Sequence, residues 1–167
     1  MMNEWGMIGL DARFRDQGKI LWDFLHEFFV KCPSCGCFAV VKATPDEHGS
    51  NLYSKKHVLI CSICHYVTEN PFNWFPGGGC DLWLETNCCG NRLWAYNLDH
   101  LNYIESYVGA KTRQRYLNDI GYMNTSMLAR LPRWMNDRKN REEILRCIRK
   151  LKATLPENYQ EKDDLEK

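Results

Sequence analysis

The chain has 167 residues, 44% of them hydrophobic, with six Trp, eight Tyr and seven Phe. That is enough apolar mass to build a core, which excludes a globally disordered chain. The net charge of +1 hides a segregation: residues 1–110 carry 8 Lys and Arg against 12 Asp and Glu, residues 111–152 carry 12 against 4, and residues 153–167 carry 2 against 5.

No apolar run approaches the ~18 residues of a membrane span, and the N-terminal residues lack the apolar core and cleavage site of an export signal. A cytoplasmic protein with no membrane partner is expected. Nine cysteines without an export signal point to thiols and metal rather than disulfides.

In chain order, residues 1–27 form an N-terminal extension, with a short helix expected over 13–24. Residues 28–75 form the first compact unit. Phe28-Phe29-Val30 reads as a strand entering the pair Cys32-Pro33-Ser34-Cys35, and Cys37 to Ala43 as the returning strand. The polar stretch 44–56, with Pro, Gly and Asn, is expected to be an exposed loop. His57 to Ile60 is a strand into the second pair, Cys61-Ser62-Ile63-Cys64, and Tyr66-Val67 leads out. Pro71 to Gly79 holds two Pro and three Gly, a natural hinge.

Residues 80–155 form a second unit. The runs 81–87 and 92–97 read as a β-hairpin about Cys88-Cys89-Gly90-Asn91, with Gly90-Asn91 expected to supply positive φ. From Leu98 the period becomes helical: Leu101, Ile104 and Val108 share a face, Asn97 is the expected N-cap, and the helix is expected to reach about Leu117 and stop near Gly121. A short helix is expected after Asn124, ending before Pro132. A last helix is expected with Asn140 and Glu143 as a capping pair and Ile144, Ile148 and Leu151 as its buried stripe. Trp83, Trp94 and Leu101 are expected to be buried together. Residues 156–167 read as a charged tail.

Two C-x-x-C pairs separated by residues 36–60 supply four thiolates, Cys32, Cys35, Cys61 and Cys64, and this set suits a tetrahedral Zn2+ ion. Four protein ligands leave no open position for a substrate, so the metal is expected to be structural. Gly36 follows the first knuckle, whereas His65 stands at the matching place in the second. Cys80 with Cys88 or Cys89 and His100 could form a second metal site, or the vicinal thiols a redox pair; small buried positions are the simpler reading.

The basic segment offers Arg113, Arg115, Arg130, Arg133, Arg138, Lys139 and Arg141 as candidate nucleic-acid contacts, with Tyr116 and Trp134 available for base stacking. A solvated helix surface would carry the same residues. No phosphate-binding glycine loop is present, and His100 and Glu105 read as surface or helix-start residues. A non-enzymatic protein with no small-molecule substrate is therefore expected. It would bind DNA or RNA, or else a protein partner, as an adaptor or an immunity-like inhibitor of a toxin.

Leu82-Trp83-Leu84, the run Cys88-Cys89-Gly90-Asn91-Arg92-Leu93-Trp94-Ala95-Tyr96-Asn97-Leu98-Asp99-His100-Leu101, and the stretches Leu131-Pro132-Arg133-Trp134-Met135 and Lys139-Asn140-Arg141-Glu142-Glu143 add a further signal. Together with the cysteine pairs they resemble a family of small bacterial zinc-ribbon proteins over roughly residues 28–152. Members of that family have no established function, so the resemblance implies fold and metal more than activity. The expected architecture is α+β: a four-cysteine zinc ribbon, an adjoining β-hairpin and a C-terminal helical subdomain.

Overall fold

A computed structural model describes residues 13–43, 56–69, 79–114 and 126–160. It is a mixed helix-and-sheet fold. Its strands are β1 (Arg13–Arg15), β2 (Glu27–Lys31), β3 (Phe38–Ala43), β4 (His57–Ile60), β5 (Val67–Glu69), β6 (Glu85–Cys88), β7 (Asn91–Trp94) and β8 (Thr112–Gln114). Its helices are α1 (Leu98–Gly109), α2 (Arg133–Asn136), α3 (Arg141–Ala153) and α4 (Glu157–Gln160), with 3-10 turns at Leu21–Phe24, Leu128–Arg130 and Arg138–Asn140. Among the described residues, no helix is long and apolar enough to cross a membrane.

The main sheet runs β2-β3-β4-β5, antiparallel throughout. Phe28, Phe29 and Val30 are all buried, so β2 is covered on both faces, which suits an unbroken apolar run rather than an alternating one. Phe28 packs edge-on against Tyr96, while Phe29 meets Phe38 and Tyr159. The outer edge of β2 is also satisfied. Lys31 N–H donates to the Asp81 carbonyl, Phe29 N–H to that of Tyr96, and Trp83 N–H to that of Phe29. These bonds join the sheet to the β6–β7 hairpin.

The helical stripes meet as their periodicity requires. Leu101, Ile104 and Val108 of α1 and Ile144, Ile148 and Leu151 of α3 are all buried. Each is worth about 1.5–3 kcal/mol relative to exposure. Lys152 closes the same helix pair by donating to Glu105 at 2.7 Å. Asn97, fully buried, accepts from His100 N–H at 2.9 Å and donates its amide to the carbonyls of Phe24 and Glu27. One side chain thus caps α1 and fixes the chain entering β2.

Several local expectations are corrected. The helix expected over 13–24 is replaced by β1, which pairs in parallel with β8, and by the Leu21–Phe24 turn. Gly18 at φ 74° interrupts any helix there. Helix α1 stops at Gly109, not Leu117, because Ala110 is extended and Arg113 reaches back to the carbonyls of Tyr107 and Val108. Asn140 is itself helical and donates to the Trp134 carbonyl, and Glu143 pairs with Arg146, so the expected capping pair does not form. Asp137 caps the preceding turn instead, accepting from Lys139 N–H. The hairpin turn places Cys89 (φ 52°) and Gly90 (φ 72°), not Gly90 and Asn91, in the left-handed region, as a two-residue type I′ loop demands.

Leu101 is fully buried, but Trp83 and Trp94 are half-buried and turn to different neighbours. Trp83 packs on Phe38 and donates to Thr154 Oγ1, while Trp94 packs on Tyr96 and His100. Past Pro132 the chain is helical again in α2, and residues 157–160 form α4, whose Tyr159 packs on Phe29 and Phe38. The greater part of the 44–56 loop and of the Pro71–Gly79 hinge, together with Arg115, Tyr116, Gly121 and Asn124, lies outside the described residues.

Candidate metal centre

The two cysteine pairs fold into matching knuckles. In the first, between β2 and β3, Gly36 N–H donates to the Cys32 carbonyl and Cys32 N–H to the Cys37 carbonyl, each at 2.8 Å. In the second, between β4 and β5, His65 N–H donates to the Cys61 carbonyl and Cys61 N–H to the Tyr66 carbonyl, each at 3.0 Å. The turn needs a left-handed residue at its fifth position, and Gly36 (φ 72°) and His65 (φ 59°) both supply it. A Cβ added at Gly36 would meet nothing within 4 Å, so backbone conformation and not space selects the residue. His65 is therefore a tolerated equivalent of the glycine.

Strand pairing brings the knuckles together. The register Val40↔Ile60 and Val41↔Leu59 aligns β3 with β4 and sets the four sulfurs within 4.8 Å of one another. Cys32 Sγ and Cys64 Sγ are 3.6 Å apart, and Cys35 Sγ and Cys61 Sγ 3.7 Å. Four sulfurs at about 2.3 Å from one ion in tetrahedral array would be about 3.8 Å apart. The set can hold a metal ion. Cys32 and Cys61 are buried beneath it, and Cys35 and Cys64 are exposed.

The electrostatics suit a cation. Backbone N–H groups of the knuckle, first that of Cys64, pull the Cys61 thiol down to about 7. At Cys35 a backbone hydrogen bond from Cys37 acts downward, but partial desolvation of the sulfur and the three neighbouring sulfurs outweigh it and the pKa rises. Four crowded thiols resist joint ionisation until a positive ion is placed among them.

Among the described residues this is the only group of three or more Cys, His, Asp or Glu whose ligand atoms converge. The alternative set of Cys80, Cys88 or Cys89 and His100 does not assemble. Cys80 is buried, its thiol pushed up by burial and then by Asp81 and Cys32. Cys88 lies 3.9 Å from Cys89 and beside Cys147 of α3, a neighbour that sequence spacing does not reveal.

His100, expected at the surface, is 2% exposed. It stacks on Phe24, its Nδ1 accepts from Tyr96 N–H, and burial pushes its pKa down to about 4. Asp16 is a further buried polar residue that local pattern does not mark. It accepts from the Tyr103 and Ser126 hydroxyls and from Gly18 N–H.

The expected cationic residues divide. Arg113 and Arg141 turn inward. Arg113 bonds two α1 carbonyls and covers the Tyr107 ring, and Arg141 donates to the Ala110 carbonyl. Both work as structural ties rather than open contacts. Arg130, Arg133, Arg138 and Lys139 are exposed, Lys139 beside Asp137, and Arg115 lies outside the described residues.

No family model, curated protein or solved structure matches the chain.

Proposed function

We propose that the protein is a non-catalytic zinc ribbon that binds nucleic acid through its exposed cations between residues 130 and 139. The tetrahedral spacing of Cys32, Cys35, Cys61 and Cys64 supports zinc, since an all-thiolate tetrahedral set suits that ion and closes its coordination shell. A closed shell supplies structure rather than Lewis-acid chemistry.

The observation that carries the nucleic-acid reading is the exposure of Arg130, Arg133, Arg138 and Lys139 around half-buried Trp134, with Asp137 the one acid in the stretch. Guanidinium groups there can neutralise phosphates in pairs, and the indole offers a stacking face. The test is fluorescence anisotropy with labelled single- and double-stranded DNA and RNA at low and moderate salt. Binding should weaken steeply with salt, and joint reversal of Arg130, Arg133 and Arg138 to Glu should abolish it with zinc content unchanged. Non-specific binders reach roughly 10⁻⁴ to 10⁻⁶ M at physiological salt. No binding at about 100 μM in low salt would reject the reading.

A protein partner is the second reading, and one observation favours it. Ile60, Ile63 and Val67 are 50%, 63% and 58% exposed around the second knuckle, with Tyr66 beside them. Ile60 and Val67 are directly opposite in the β4–β5 ladder, so this is one apolar patch. Pull-down with and without nuclease treatment separates the two readings.

A further inference from the structure

We infer that the protein binds a small amphipathic carboxylate in an apolar cavity that none of the four knuckle cysteines lines. The cavity holds about 620 Å³ and lies between the Leu21–Phe24 turn, β7, α1 and the turns over residues 127–135. That volume falls within the roughly 300–1,000 Å³ of small-molecule sites.

Its walls include Leu93, Trp94, Ile104, Met127 and Met135. Thioether side chains adapt to irregular apolar shapes, so this wall suits an acyl or aryl body. The lip is formed by Ile20, Leu21 and Trp22, which are 39%, 38% and 39% exposed. Three consecutive large apolar side chains left partly in water are costly for a surface turn unless something covers them.

The charged groups of the lining choose the ligand. Both are arginines, Arg92 and Arg130, and no carboxylate lines the cavity among the described residues. Arg92 is already held by Glu85 at 2.5 Å. Arg130 is exposed and has no acidic partner among the described residues. His100, on the wall, has its Nδ1 engaged by Tyr96 N–H and contributes no charge. One guanidinium without an acidic partner among the described residues, beside an apolar cavity, matches one anionic head on an apolar body, and its planar fork takes a carboxylate in bidentate fashion. A single cation is too little for a polyanion.

The experiment is isothermal calorimetry on the full zinc-loaded chain, without nucleic acid. The probes are decanoate, 1-naphthoate and their uncharged counterparts decanol and 1-naphthalenemethanol. At least one carboxylate should bind saturably at or below about 100 μM and about tenfold tighter than its alcohol. The tighter of the two carboxylates identifies an acyl or an aryl body. Arg130→Gln should lower carboxylate affinity about tenfold and leave the alcohol unchanged, and Leu21→Glu, at the exposed lip, should weaken both. No saturable carboxylate heat at about 1 mM would overturn the proposal, as would equal affinity for acid and alcohol or an Arg130→Gln variant that binds normally. Arg130 also belongs to the proposed nucleic-acid face, but this assay contains no nucleic acid, so either reading can fail alone.

Discussion

The helical half and the knuckle half of this protein cohere by different means. Where α1 meets α3, Leu101, Ile144 and Ile148 are fully buried, and apolar packing with the Lys152–Glu105 pair joins the helices. Beyond β3 the position reverses. Strand β5 alternates exposed and half-buried residues, and Ile60, Ile63 and Val67 stand in water. Leu59 is the one buried side chain of β4 and β5 buries none, so we expect ligation at the sulfur cluster to supply much of the cohesion there. Strand β2 is common to both halves, with Phe29 and Val30 completely covered. On the proposed zinc reading, a small fold delegates one region to metal ligation where its sequence lacks the apolar mass to close that region by packing.

The largest expected effect lies at the knuckle end. Cys61→Ser should lose the ion and with it apparent binding energy on the order of 10 kcal/mol. Amide exchange in β4 and β5 should rise sharply while α1 and α3 stay protected. Full zinc occupancy with unchanged melting would erase the contrast between the halves. Next is Ile148→Ala in the helical half, expected to cost about 2–5 kcal/mol from lost burial and a residual cavity, with one zinc still bound. Loss of the metal in that variant would show that the halves are not separable.

The third effect concerns pH. Burial lowers the His100 pKa from 6.5 to about 4, so the unfolded chain takes up a proton where the folded chain does not. The stabilising effect is complete above about pH 6.5 and is lost as pH falls toward 4, by about 3 kcal/mol in all. Acid release of the metal would act at the knuckles over an overlapping range. Thermal melts of the wild type and of His100→Gln between pH 7 and 4, each with zinc content recorded, separate the two. The variant should show the shallower fall, and identical profiles would show that His100 contributes nothing to the acid sensitivity.

Much of the strand order was legible because each signal was local. The apolar run Phe28 to Val30 and the paired C-x-x-C spacing announce strand and knuckle, and the stripe Leu101, Ile104, Val108 announces a helix. What the sequence misjudged depends on partners distant along the chain. Arg13–Arg15 is a strand only because Thr112–Gln114 lies beside it, and α1 ends early because Arg113 takes its last carbonyls. Cys147 joins Cys88 only through the packing of α3 on β6.

By itself, then, the sequence determined the convergent set Cys32, Cys35, Cys61 and Cys64, since sulfur geometry is imposed by short spacings and one left-handed residue per knuckle. It determined the apolar faces of α1 and α3, since period follows from helix geometry. Only the tertiary structure decided which arginines face solvent, why His100 is buried and neutral, and that an apolar cavity opens beside Arg130. Those properties arise where segments remote in sequence meet, and side-chain burial there is set by the neighbours that arrive rather than by the residue's own type.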